Sequence, residues 1–326
     1  MTPRRVLEGC SFSAPMHLRS VLMTKRREFR TMTASFVLLV VLIDGSNAVR
    51  RVLVTGANKG IGREICRRML ADVPDSYVIL GSRNAQRGKD AVSTILKQEP
   101  SAEGRIEMVV LDVESDESVA AAVASISARF PNEPAPLHGL CNNAGIGFGK
   151  SIPATLSANY YSQKRVAEAF IPLLNPARGR ICNIASASGP TYVRTLDTKL
   201  RELFTSPATT PKMLQEELEQ QVRTANEEDV AYGLSKAAVN QWTRQLARQH
   251  PSLAINSCSP GYVLTDLTRG MGATNTPEQS NCHVAPLFLL FDEAVPASGW
   301  YFGSDAVRSP LDRYRGPGDP PYVGDD

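Results

Sequence analysis

The chain has 326 residues, 42% hydrophobic and 21% charged, with a net charge of +3. That composition is ordinary for a soluble globular protein long enough to cover a sheet on both faces. The first 50 residues hold eight Lys/Arg against three Asp/Glu, a surplus of five that leaves the remainder at −2, too little for a nucleic-acid or membrane surface.

The N-terminal extension, residues 1–50, is basic over 23–30 and unbroken in apolar residues over 36–43, with small residues at Ser46 and Ala48. This is the order of a secretory signal peptide, and the run is too short to span a membrane. An unstructured tail, a start codon set upstream of the true one and an Arg-rich organellar presequence are the alternatives. Six cysteines follow no CxxC or metal-like spacing, and Cys141, Cys182 and Cys258 fall in apolar strand-like runs. They argue against a disulfide framework and fit a reducing compartment.

From residue 51 the chain alternates β-branched runs with helical patterns. Strands are expected at 52–55, 77–81, 106–111, 139–142, 180–185, 254–257 and 300–302, and helices near 61–70, 85–97, 117–129, 158–174 and 230–248. Most of the strands are continuous apolar runs, as in a parallel sheet buried on both sides. The expectation is an α/β, doubly wound parallel sheet of the Rossmann type, in one domain over 51–307. Residues 190–228 form a helical insertion with a Leu/Glu/Gln-rich stretch at 212–222, and the Pro/Gly/Asp-rich tail 308–326 is expected to have little fixed structure.

The first strand runs into Thr55-Gly-Ala-Asn-Lys-Gly-Ile-Gly62. Gly56, Gly60 and Gly62 permit a tight turn and a close backbone approach to a pyrophosphate, and the helix that follows offers it free N–H groups. An NAD-binding version places an acid about 20 residues on. Here the sequence reads Gly81-Ser-Arg83. A guanidinium there pairs with a 2′-phosphate, with Lys59 as a second positive charge, so the expected cofactor is NADP(H).

Tyr232-Gly-Leu-Ser-Lys236 opens a long helical run, and a separation of four puts phenol and ammonium on one face. A free Tyr titrates near pH 10; the lysine and an oxidised nicotinamide would bring it about 2–3 units down. Ser186 ends the fifth strand and faces the crevice where such sheets bind ligands, with Ser188 its nearest competitor.

In order, these motifs resemble the short-chain dehydrogenase/reductase family over about 51–302. The glycine loop matches TGxxxGxG, Asn142-Asn-Ala-Gly145 matches NNAG, and Tyr232 and Lys236 match YxxxK. Ser186 matches the serine of NxSSxxG, with Ala185 replacing the first serine, and Ser259-Pro-Gly261 with Thr265 matches the PG…T segment. The resemblance implies a catalytic set of Asn159, Ser186, Tyr232 and Lys236, with Asn159 holding a proton-relay water. It also implies a dinucleotide site lined by Asn58, Lys59, Ile61, Arg83, Asp112, Val113, Asn143, Ala144, Gly145, Pro260, Gly261, Val263 and Thr265, Asp112 contacting the adenine. TGANKGIG, Arg83 with Arg87-Gly88, AYGLSKAAV and a gap of 46 residues between Ser186 and Tyr232 resemble the carbonyl reductase branch. That branch implies a cytoplasmic monomer reducing a small-molecule aldehyde, ketone or quinone, without nucleic-acid partners. An alcohol dehydrogenase of the steroid or retinol kind and a catalytically silent NADP(H)-binding regulator are the rival expectations. One departure stands out: only 14 residues lead from Gly145 to Asn159, a short segment that makes the role of Asn159 less secure than those of the other three.

Overall fold

The structure is a computed structural model that describes residues 49–224, 228–295 and 298–324. The candidate targeting segment at 23–48 lies outside these residues. Seven strands form one sheet: β1 (Arg50–Val54), β2 (Ser76–Ser82), β3 (Ile106–Val110), β4 (Gly139–Asn142), β5 (Arg180–Ile184), β6 (Ala254–Cys258) and β7 (Tyr301–Phe302). Their order is β3-β2-β1-β4-β5-β6-β7, every pairing parallel. The fold class expected from the sequence is therefore the one observed, a doubly wound Rossmann-type sheet.

Side chains alternate across this sheet, so β1 sends Val52 and Val54 to one face and Leu53 to the other. Val52 and Val54 meet α1 (Gly60–Asp72) and α2 (Ala85–Gln98) through Ile65, Met69 and Ile95. The Leu53 face is covered by α3 (Asp116–Arg129), α4 (Ile152–Leu156) and α5 (Ser162–Phe170). The helical run expected at 158–174 is not one regular helix: a π turn at Ser157–Tyr161 joins α4 to α5.

The insertion is not appended to the surface. It forms α6 (Ser188–Thr195), α7 (Thr198–Thr205) and α8 (Pro211–Thr224), three helices where the sequence pattern marked one. Phe204, Leu214 and Leu218 are buried in the same core as Leu53 and the long helix α9 (Glu228–Gln249). A further helix, α10 (Val284–Phe291), had no expectation, because VAPLFLLF is apolar throughout and carries no periodic signal.

Arg50 belongs to β1, paired with Asp75 at 2.7 Å, and the compact unit starts at Val49. The tail also has more fixed contacts than expected, held by guanidinium groups together with one apolar residue. Arg315 is buried and donates to Ser309 Oγ at 3.0 Å and to the Gly316 and Asp319 carbonyls, besides pairing with Asp305. Arg308 lies 4.0 Å from the Trp300 ring centroid, and Leu311 enters the core. No helix among the described residues is long and apolar enough to cross a membrane.

Candidate active site

The strand order reverses between β1 and β4, whose following loops leave in opposite directions and open a crevice. After β1, Gly56 and Gly60 take φ of +62° and +59°, a region open to glycine at little cost. Gly62 has no room for a side chain: a Cβ there would lie 2.4 Å from Asn143 Nδ2 and 2.9 Å from Ala57 Cα. The first turn of α1 has no side-chain cap, so its N–H groups are left without a side-chain acceptor at the N-cap. Thr55 ties the two walls together, its hydroxyl accepting from the backbone N–H of Asn143 and Ala144, each at 3.0 Å.

Arg83 stands exposed at the end of β2, with no hydrogen bond or ion pair to a described residue. Lys59 behaves differently from Arg83. Its ammonium pairs with Asp266, on the segment that follows β6. Both side chains are exposed, so the pair is weak and its charge is only loosely held. The same segment passes over the glycine loop, bringing Thr265 Cγ2 within 3.6 Å of a Cβ built at Gly60. It leaves β6 through Gly261, at φ +88°, whose N–H donates to Ser259 Oγ, and buries Val263. At the end of β3, Asp112 accepts from the Glu114 N–H, and the Val113 carbonyl accepts from Arg165.

On the other wall, α9 presents Tyr232 and Lys236. Ser186, at the end of β5, stands close enough to the Tyr232 phenol to lower its pKa, and accepts from the Ser188 N–H at 3.2 Å. Ser186, not Ser188, is thus the serine at the phenol. Lys236 is only 5% exposed, donates to the Ile184 carbonyl at 2.9 Å and sits 5.6 Å from the Tyr232 ring centroid. Burial pulls its pKa down to about 8, with nearby Cys258 acting in the opposite sense. Burial raises Tyr232 above its ordinary 10, opposed by the Ser186 hydroxyl. The downward shift expected from the lysine is absent here, because the ammonium turns to a carbonyl rather than to the phenol oxygen.

Close contact of α6 and α9 sets this geometry. A Cβ at Gly189 would lie 3.0 Å from Ala237 N and from Lys236 C, backbone atoms unable to give way. We expect Gly189→Val to cost about 1–3 kcal/mol of stability and to displace the lysine. Thermal unfolding beside a turnover assay checks this, and an unchanged melting temperature would refute it.

Asn159 reaches the site despite the short segment before it. The π turn widens the helix at this point. Fully buried, Asn159 accepts from the Ile146 N–H at 2.7 Å and donates to the Ile146 carbonyl and to Ser235 Oγ, each at 3.1 Å. Gly145 is required here, since a Cβ would fall 2.8 Å from Asn159 Oδ1. Both amide protons are therefore in use, and the side chain pins Ile146 rather than holding a water by an N–H.

A short chain dehydrogenase family model matches residues 50–196. (+)-Neomenthol dehydrogenase of Arabidopsis thaliana is 31% identical over 300 residues, covering 79% of this chain and 97% of that one. The chain belongs to the short-chain dehydrogenase family. Carbonyl reductase (NADPH) 3 of Rattus norvegicus is 30% identical over 277 residues, 77% of this chain and 95% of its own. Among solved structures, menthone neomenthol reductase from Mentha piperita superposes with a TM-score of 0.63 at 28% identity, covering 78% of this chain and 98% of that one. Salutaridine reductase from Papaver somniferum gives 0.66 at 26%, with 77% and 99% covered. These relatives place this short-chain dehydrogenase in the carbonyl reductase-like branch, as an oxidoreductase acting on carbonyl or alcohol groups.

Three site residues of this family member are not picked out by sequence reasoning. Thr55 is the opening residue of the glycine motif, and that position is the signal that could have found it. Ser235, fully buried, accepts from Asn159 and donates to the Tyr232 carbonyl at 2.8 Å, and it sits inside YGLSK. Phe148, whose ring centroid lies 4.2 Å from that of Tyr232, has no local signal at all.

Proposed function

We propose that this enzyme reduces an aldehyde, ketone or quinone to an alcohol at the expense of NADPH, with Tyr232 as the general acid. The observation that carries the reading is the Tyr232 phenol set beside Ser186, with Lys236 one helical turn behind. The crevice fits a dinucleotide: positive-φ glycines, a position at Gly62 too tight for any side chain and an uncapped helix N-terminus make an anion cradle. Gly56, Asn58, Gly60, Ile61 and Gly62 would line the pyrophosphate, and Asn143, Ala144, Gly145, Pro260, Gly261, Val263 and Thr265 the nicotinamide half. Asp112 and Val113 would border the adenine, and Arg83 the 2′-phosphate.

When bound, the dinucleotide supplies the hydride. Ser186 orients the substrate oxygen, and Tyr232 passes its proton to that oxygen as negative charge develops there. Burial keeps the phenol protonated at neutral pH, which suits an acid. Lys236 supplies a buried cation beside the phenol, and Asn159 and Ser235 lock the backbone around both. A silent regulator is disfavoured because Asn159 keeps its contacts across the short segment. A monomer is part of the same reading, with α8 laying Leu214 and Leu218 into the core.

The cofactor preference rests on Arg83, exposed at the end of β2 and without a partner among the described residues. Arg83→Ala is expected to raise KM for NADPH about tenfold or more while moving KM for NADH far less. Initial rates from the absorbance of reduced nicotinamide, with each cofactor in turn, decide it. Equal effects on both cofactors would remove Arg83 from 2′-phosphate recognition.

A further inference from the structure

Large apolar side chains left exposed are unevenly spread. Phe148, Tyr262, Leu264, Leu267 and Met271 all lie on the two loops that leave β4 and β6, and the first of them packs on the catalytic phenol. Clustered exposed apolar surface marks a place where something apolar binds.

The local chemistry explains why Phe148 stands there. It is carried in Gly145-Ile-Gly-Phe-Gly149, and Gly149 takes φ +70°. Gly147 packs directly on the other loop, where a Cβ would lie 3.1 Å from the Leu267 carbonyl oxygen and 3.3 Å from Leu267 Cβ. The glycines bring the backbone of one loop against Leu267 and leave the Phe148 ring nowhere to pack except on Tyr232. There it sits at 4.2 Å between centroids and 41° between planes, still 39% exposed. The far end of the second loop is closed by the Tyr262 hydroxyl donating to the Met271 carbonyl. Phe148, Leu264, Leu267 and Met271 offer no side-chain hydrogen-bond partner, so a hydroxylated substrate would lose hydration here without compensation.

We propose that Phe148, backed by Leu267, is the specificity wall of the site, selecting a carbonyl set in a flat, apolar ring body. The substrate ring stacks on the face of Phe148 and directs its oxygen to Ser186 and Tyr232. This rests on the carbonyl-reduction reading above.

The test compares kcat and KM for 1-indanone, a flat apolar ring ketone, and for glyceraldehyde, with saturating NADPH, in the natural enzyme, Phe148→Ala and Phe148→Leu. The natural enzyme is expected to prefer the ring ketone. Phe148→Ala lowers the ratio of the two kcat/KM values about tenfold or more, through KM for the ketone, and Phe148→Leu recovers part of it. A preference for glyceraldehyde in the natural enzyme, or a ratio that stays within about twofold in Phe148→Ala, overturns the wall and leaves carbonyl reduction standing. A natural enzyme that binds NADPH and reduces neither probe overturns the carbonyl-reduction reading and the wall with it.

Discussion

Tyr232→Phe is expected to lower kcat for carbonyl reduction by about 10²–10⁴-fold with dinucleotide affinity almost unchanged. The substitution removes one oxygen and keeps the ring, so its packing against Phe148 survives. Ser186 retains its bond from the Ser188 N–H and stays in position. Tyr232 is carried on α9 and the glycine loop follows β1, so the substitution leaves the phosphate cradle's own residues unchanged. Titration with NADPH, followed by nicotinamide fluorescence, separates binding from turnover. A variant that binds normally and turns over at the natural rate would exclude the phenol from the mechanism. Because burial lifts the Tyr232 pKa above 10, kcat/KM for reduction should also hold level through neutral pH and fall only in the alkaline range.

Lys236→Met is expected to abolish most turnover and, in the dinucleotide-free protein, to raise stability below pH about 8. The lysine titrates at about 8 in the folded chain against 10.5 when solvated. Below pH about 8 both states carry the ammonium, and the folded state bears the whole desolvation cost. Between 8 and 10.5 the unfolded chain binds more protons, so stability rises with pH; above 10.5 the cost has gone. A methionine of similar length removes that cost, and the Ile184 carbonyl still accepts from Gln163 Nε2 at 3.3 Å. The gain is about 1–3 kcal/mol at pH 7, shrinking toward zero at high pH. Thermal melts of both proteins across this range check it. A variant less stable than the natural protein at pH 7 would show that the hydrogen bond to Ile184 outweighs desolvation.

Both predictions turn on a pair of residues one helical turn apart. A separation of four on a helix guarantees one face, but such pairs are common, and Tyr232 and Lys236 become legible only through the glycine loop, NNAG and Ser186 that precede them in order. The glycine loop is legible locally: glycines at a strand–helix junction have few explanations other than backbone approach. Ser186 is less so, because a hydroxyl at position 186 and one at 188 look alike until α9 is placed. Asn159 is weakened by the short segment before it, and the π turn that carries it is a feature no residue pattern announces.

Continuous apolar strands, alternating helices and the glycine junction determined by themselves the sheet type, its parallel sense and the order of chemistry along the chain. Local propensity and periodicity carry that information within a few residues. Only the tertiary structure decided that Lys59 meets Asp266 across 207 positions, that Phe148 lies on Tyr232, that the insertion joins the core, and that Arg315 anchors the tail. Each of these joins segments far apart in sequence or aimed by separate loops, and whether such side chains meet depends on how the sheet between them directs those loops.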